Sequence, residues 1–298
     1  MVSAAAALGV TAGLLSVAAP AQAAPGGCPG LYVVAVPGTW ETGASPEKNS
    51  GPGMLAGVTN RLRGADIRTD YVRYAATAFP WEGEVYGASK RQAVNNARGL
   101  LEAMQASCPA TRLSLIGYSQ GADAAGDLAS EIGSGTSTVR PERMAGVGLL
   151  SDPRRSPTDV LIGPAVPGAG AGGPRTGGFG WISDRTVTFC APGDLYCSTE
   201  NDDFVTRMAG YAATNSDPGS SDSPDYAGEI GAIVTDLVTA GGIPVLQNQL
   251  SEQATEKRAD DLTVFYGSGA HQNYQGYVVD PAGNTPVTWL ANWLRDKA

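Results

Sequence analysis

The chain has 298 residues, 42% hydrophobic and 16% charged, with a formal net charge of −9. This composition excludes a disordered chain, and the acidic balance leaves no basic stripe to meet a nucleic-acid backbone. With 40 Gly and 20 Pro but no Gly period, collagen is excluded and a loop-rich globular fold is expected.

Residues 1–23 are uncharged, run through Leu8, Val10, Leu14, Leu15 and Val17, and end in Ala21-Gln22-Ala23. A short apolar run before a small-x-small site reads as a signal peptide cleaved after Ala23, and an uncleaved N-terminal anchor is the alternative. Residues 24–298 then form one domain. Leu31 to Val36 is a continuous β-branched run stopped by Pro37-Gly38, which predicts a fully buried strand, with Ile67 to Tyr74 a second. Ser89 to Gln105 is a helix with Val94, Ala97, Leu101 and Met104 on one face. A strand at Leu113–Ile116, a helix at Ala122–Ile132 and strands at Met144–Leu150 and Arg185–Phe189 follow. The last strand is expected at Leu262–Tyr266 and the last helix at Thr285–Arg295, with Pro286 in its first turn. Strands alternating with helices predict an α/β fold with a mostly parallel central sheet and helices on both faces.

Two stretches interrupt the alternation. Residues 164–180 are Gly/Pro-rich and aperiodic, hence a loop. Residues 198–261 form a longer insertion whose part from Asn215 to Asp225 is rich in Ser, Pro and Asp and reads as a flexible tether. Amphipathic helices follow at Tyr226–Val238 and Val245–Ala254.

Four cysteines in an exported chain read as disulfides. Cys190 and Cys197 bracket a Pro-Gly turn and suit a local bridge, which leaves Cys28 to pair with Cys108. Without a C-x-x-C and with a single histidine, no metal site is expected.

The chemistry concentrates at Gly117-Tyr118-Ser119-Gln120-Gly121, a G-x-S-x-G between a predicted strand and a predicted helix. That context is a nucleophile elbow: the strained turn presents the Ser119 hydroxyl and aims the Gln120 amide at a developing oxyanion. A serine needs a base, and His271 is the sole histidine, placed after the acid as the chain order Ser, acid, His requires. Asp194, between the paired cysteines, is the favoured acid. Asp152 is the second candidate, although its Asp-Pro context with Arg154 also reads as an ion-paired turn.

These segments resemble the cutinase family of serine esterases: Gly-Tyr-Ser-Gln-Gly itself, Asp184 to Cys190, Gly193 to Cys197, and Pro37-Gly38-Thr39-Trp40-Glu41-Thr42-Gly43 after the first strand. The resemblance implies an α/β-hydrolase fold and a Ser119–His271–Asp194 triad. It also implies Cys28–Cys108 and Cys190–Cys197 bridges, and an oxyanion hole built from Gln120 and the Thr39 hydroxyl. The 76 residues between Asp194 and His271 depart from the short loop of fungal members and look like the actinobacterial cell-envelope branch. The expected activity is hydrolysis of lipid or polyester esters without cofactor or metal, by a secreted or envelope-associated monomer. The alternatives are acyl transfer or thioester cleavage, or an envelope-binding module without activity. An acyl-ester or lipid substrate and a membrane or envelope surface are the expected partners, with no nucleic acid. Leu161, Ile162, Phe179 and Trp181 are candidates to line an acyl groove, and the insertion is a candidate lid.

Overall fold

The computed structural model describes residues 27–44, 53–217 and 226–298. The leader expected at 1–23 and residues 218–225 of the expected tether lie outside the described residues. Five strands form one sheet: β1 (Leu31–Val36), β2 (Ile67–Tyr71), β3 (Arg112–Tyr118), β4 (Met144–Leu150) and β5 (Thr186–Phe189). Their spatial order is β2-β1-β3-β4-β5, and every neighbouring pair is parallel.

A parallel sheet needs cover on both faces, and the alternation within β1 supplies it. Tyr32, Val34 and Val36 face a core shared with α2 (Tyr86–Ser107) and α3 (Gln120–Ser134). Leu31, Val33 and Ala35 face a second core closed by the short α1 (Ala56–Thr59) and by α8 (Pro286–Arg295). Thr285 caps α8 and accepts the Thr288 amide, so the helix begins one residue later than the sequence pattern suggests. Both bridges, Cys28–Cys108 and Cys190–Cys197, are formed.

The insertion carries α4 (Phe204–Thr214), α5 (Tyr226–Thr239), α6 (Ile243–Gln249) and α7 (Glu252–Ser268). Two expectations are corrected here. Leu262–Tyr266 is not a strand but the C-terminal part of α7. Its β-branched and aromatic residues alternate like a strand, yet the Ser251 cap and the strong helix formers after it set the helical phase. Leu262, Val264 and Tyr266 consequently stay exposed while Phe265 is buried. The single helix expected at Val245–Ala254 is two, with α6 ending before Leu250 and α7 starting after Ser251. The boundary drawn at residue 261 therefore falls inside α7.

Candidate active site

At the C-terminal end of β3 the chain turns sharply into α3. Ser119 sits at the turn with φ +56°, a left-handed conformation that a residue with a side chain adopts only under strain. Its amide donates to Leu150 O, and its carbonyl accepts the Ala122 and Asp123 amides at 2.8 and 3.0 Å. Glycine is required on both sides: a Cβ at Gly117 would overlap the α3 backbone, and one at Gly121 would overlap the Val36 and Pro37 carbonyls. Gln120 is the first helical residue, so its amide belongs to the unpaired N–H groups of the helix start, where the helix dipole favours negative charge.

The three separated residues meet here. His271 Nε2 lies 3.0 Å from Ser119 Oγ, and Nδ1 lies 3.2 and 3.1 Å from the two carboxylate oxygens of Asp194. His271 occupies a 3-10 turn directly after α7, entered through Gly269 at φ +66°. Its ring lies beside Tyr118 and Tyr196, at centroid distances of 5.2 and 4.6 Å, and its carbonyl accepts the Tyr118 hydroxyl at 2.8 Å. Asp194 is fully buried in the loop closed by Cys190–Cys197. Oδ1 accepts the Tyr196 amide at 3.1 Å, and Oδ2 accepts the hydroxyls of Tyr274 and Ser151 at 2.7 and 2.6 Å. With this many donors the carboxylate is held as an acceptor, so Nδ1 carries the proton and Nε2 offers its lone pair to Ser119.

Across the cleft, the Thr39 hydroxyl donates to Gln120 Oε1 at 3.3 Å. The buried Gln120 amide group donates in turn to Thr77 O and Tyr86 O, tying the 37–41 and 76–86 segments to the start of α3. Glu41 fixes the first of these segments by accepting the Gly38 and Met54 amides at 2.9 and 2.7 Å. Burial pushes its carboxyl up, against the pull of those two amides and of nearby His271.

Other expectations fare differently. Asp152 does not approach the imidazole. Its oxygens are held by Arg175 and by the Arg154 amide, so it is an ion-paired turn residue whose main partner is Arg175 rather than the Arg154 side chain. The groove assignment is corrected for Phe179 and Trp181. Phe179 is buried against Gly133 and Trp181 is exposed, both at the end of α3 remote from Ser119, about 20 Å along the helix. Leu161 bridges to Thr188 on β5, and Ile162 packs on the second core.

Ser151 and Tyr274 were not legible as site residues, because no motif or period marks them, and Tyr118 and Tyr196, although inside quoted motifs, occupy positions to which the motif chemistry gives no role. Among the described residues no group of three or more His, Cys, Asp or Glu side chains is arranged to hold a metal ion. The buried Asp123 and Asp152 and the half-buried Asp127 are met instead by Lys90, Arg154 and Arg175.

The model of the Cutinase family matches residues 27–219. Over 205 residues the chain is 32% identical to a carboxylesterase Culp6 homolog of Corynebacterium glutamicum, a match covering 58% of this chain and 66%, just under two thirds, of that relative. It is 29% identical over 174 residues to carboxylesterase Culp1 of Mycobacterium tuberculosis, covering 57% of this chain and 70% of the relative. Among solved structures it is similar to the catalytic core of an acetyl xylan esterase from Trichoderma reesei. That likeness has 22% identity and a TM-score of 0.49, and covers 71% of this chain and all of that one.

Proposed function

Because the chain belongs to the cutinase family, we propose that it is a serine carboxylic-ester hydrolase working through an acyl-enzyme on Ser119. The observation that carries this reading is the unbroken hydrogen-bonded line from Ser119 Oγ through the His271 imidazole to Asp194, at 3.0 and 3.1 Å. His271 Nε2 takes the Ser119 proton as Oγ attacks the ester carbonyl. Asp194 stabilises the resulting imidazolium, and the Gln120 backbone amide receives the oxyanion, joined by the Thr39 hydroxyl once its proton turns from Gln120 Oε1 to the substrate oxygen. The imidazolium then protonates the leaving alcohol, and water releases the acyl group by the same steps reversed.

The surroundings favour an apolar acyl or lipid ester. Trp40, next to Thr39, is 63% exposed, as are Phe79 and the stacked Trp81 to 42% and 79%. Val264 and Tyr266, near the end of the helix that leads into His271, are exposed as well. Two disulfides suit an oxidising compartment, consistent with a secreted or envelope-associated enzyme whose leader is residues 1–23.

Labelling with a fluorophosphonate tests the reading most directly. Mass spectrometry is expected to find one adduct, on Ser119. Ser119→Ala and His271→Ala are each expected to abolish p-nitrophenyl ester hydrolysis with unchanged circular dichroism, and the double variant to be no worse than either. An adduct elsewhere, or turnover near the wild-type rate in His271→Ala, overturns it.

A further inference from the structure

The geometry points to Ser151 as a positioning residue that sets the tautomer of the catalytic imidazole, an inference that rests on the triad reading above. Ser151 is fully buried, and its Oγ lies between the two partners of the acid–base pair, 2.6 Å from Asp194 Oδ2 and 3.0 Å from His271 Nδ1. A hydroxyl has one proton. The carboxylate oxygen can only accept, so that proton goes to Asp194 and leaves an Oγ lone pair facing Nδ1. Nδ1 must then be the protonated nitrogen. Ser151 thus imposes the same tautomer as Asp194, through a second and independent acceptor, and directs the Nε2 lone pair at Ser119.

The backbone shows that this placement is built. Ser151 follows the last residue of β4 at φ +55°, one of four residues other than glycine with positive φ among the described residues. Its amide donates to Phe189 O on β5, while the preceding carbonyl, Leu150 O, accepts the Ser119 amide. One strand end therefore fixes both the nucleophile and the hydroxyl that orients its base. A left-handed serine in a fully buried position is a strained choice, and such strain persists where the site uses the side chain.

Tyr274 supplies the control. Its hydroxyl donates to the same Asp194 oxygen at 2.7 Å, and no hydrogen bond joins that hydroxyl to the imidazole. If Ser151 merely satisfied the buried carboxylate, Ser151→Ala and Tyr274→Phe would behave alike. With Ser151 setting the tautomer, Ser151→Ala is expected to lower kcat about 10- to 100-fold with KM within about twofold, and Tyr274→Phe to lower it much less.

Because His271 is the only histidine, its downfield Nδ1–H proton resonance reports the same bond without any turnover. Ser151→Ala is expected to displace that resonance and Tyr274→Phe to leave it near the wild-type position. Ser151→Gly removes the hydroxyl in a residue that accepts φ +55°, and is expected to reproduce the alanine result should alanine fold poorly. The inference is overturned if folded Ser151→Ala or Ser151→Gly keeps the wild-type resonance and kcat, or if Tyr274→Phe displaces the resonance and lowers kcat as much as the Ser151 variants do. A wild-type protein that neither labels nor hydrolyses esters would instead overturn the activity, and the resonance comparison would still judge Ser151.

Discussion

Arg175 grips both carboxylate oxygens of Asp152, at 2.5 and 3.0 Å, and lays its guanidinium against the backbone of Gly126 on α3. The same side chain donates to Asp127 Oδ1 at 2.9 Å and to Asp123 O at 2.8 Å. Burial alone would raise the Asp127 carboxyl, but the Lys90, Arg154 and Arg175 charges outweigh it and hold it below the ordinary carboxylate range. Arg175 is thus the clasp between the aperiodic 164–180 segment, the helix behind the nucleophile and the turn after β4.

Removing that clasp leaves the buried Asp152 carboxylate without its ion-pair partner and takes one of several cations from Asp123 and Asp127. Arg175→Met is expected to cost about 3–5 kcal/mol in urea unfolding. Arg175→Lys should recover only part of it, since an ammonium cannot make the two-pronged contact. Gly126→Ala would force a methyl into the guanidinium and is expected to destabilise in the same way, although it changes no charge. Unfolding midpoints within experimental error of the wild type would refute this.

The acid loop is expected to separate activity from stability. Replacing Cys190 and Cys197 by serine opens a loop with a sequence separation of 7, and chain entropy puts the loss at about 2–3 kcal/mol. Hydrolysis should fall well beyond what the unfolded fraction explains, because Asp194 loses the constraint that seats it below His271. Equal losses of activity and of folded protein would contradict this.

Asp159 gives a pH signature. Burial pushes its carboxyl up from 3.8 to about 6, although it accepts the Ser156 amide at 2.7 Å. The folded state therefore binds the proton more tightly than the unfolded chain, so this stability is present at low pH and is lost as pH rises from about 4 to about 6. Asp159→Asn keeps the amide acceptor without the charge. It should be more stable than the wild type above pH 6, by up to about 3 kcal/mol, and the gap should close near pH 4. Parallel stability profiles for the two proteins would exclude the effect.

We propose that the middle of the insertion acts as a lid while its end is part of the site. On α5, Val234 and Val238 are exposed, Leu237 is half-buried and Ile233 is buried, whereas the side chain of Ile230 lies outside the described residues. At the end of α7, Phe265 packs on Tyr196 and the Tyr266 hydroxyl meets that of Tyr196 at 2.9 Å, with Tyr196 against the imidazole. Deleting Ser216 to Leu250 with a short Gly/Ser bridge should preserve folding and speed hydrolysis of small soluble esters, with poorer selectivity for long chains. Extending the deletion to Asp261 truncates α7 and should abolish activity. Unchanged chain-length preference in the shorter deletion would refute the lid, and an active longer deletion would refute the buttress.

The sequence carried the parts of the site that depend on local chemistry. Strained glycine spacing marks Ser119, a single histidine marks His271, and a cysteine-bracketed turn marks Asp194. It did not carry what depends on where distant segments land. Ser151 is an ordinary serine before Asp-Pro until β4 brings it beside Asp194, and Arg175 is one charge in a Gly/Pro-rich loop until that loop crosses α3. The Leu262–Tyr266 error has the same root: a leucine followed by four β-branched or aromatic residues resembles a strand, but the cap eleven residues earlier governs them.

The Cys28–Cys108 bridge bears on the order in which the molecule assembles. Residues 28 and 108 lie just outside the facing ends of β1 and β3, where Arg112 donates to Gly30 O at 2.9 Å. Bringing those strands side by side in a free chain means closing a loop with a sequence separation of 80, and a covalent tie there removes about 4–5 kcal/mol of chain entropy beforehand. Oxidised chains should therefore nucleate around β1, β2, α2 and β3, with the nucleophile's strand among the first elements in place. Asp194 and His271 join from the other half of the chain. Refolding followed by strand protection and by phosphonate uptake should show the former leading the latter, so the polypeptide passes through a structured stage that carries its serine but cannot yet use it.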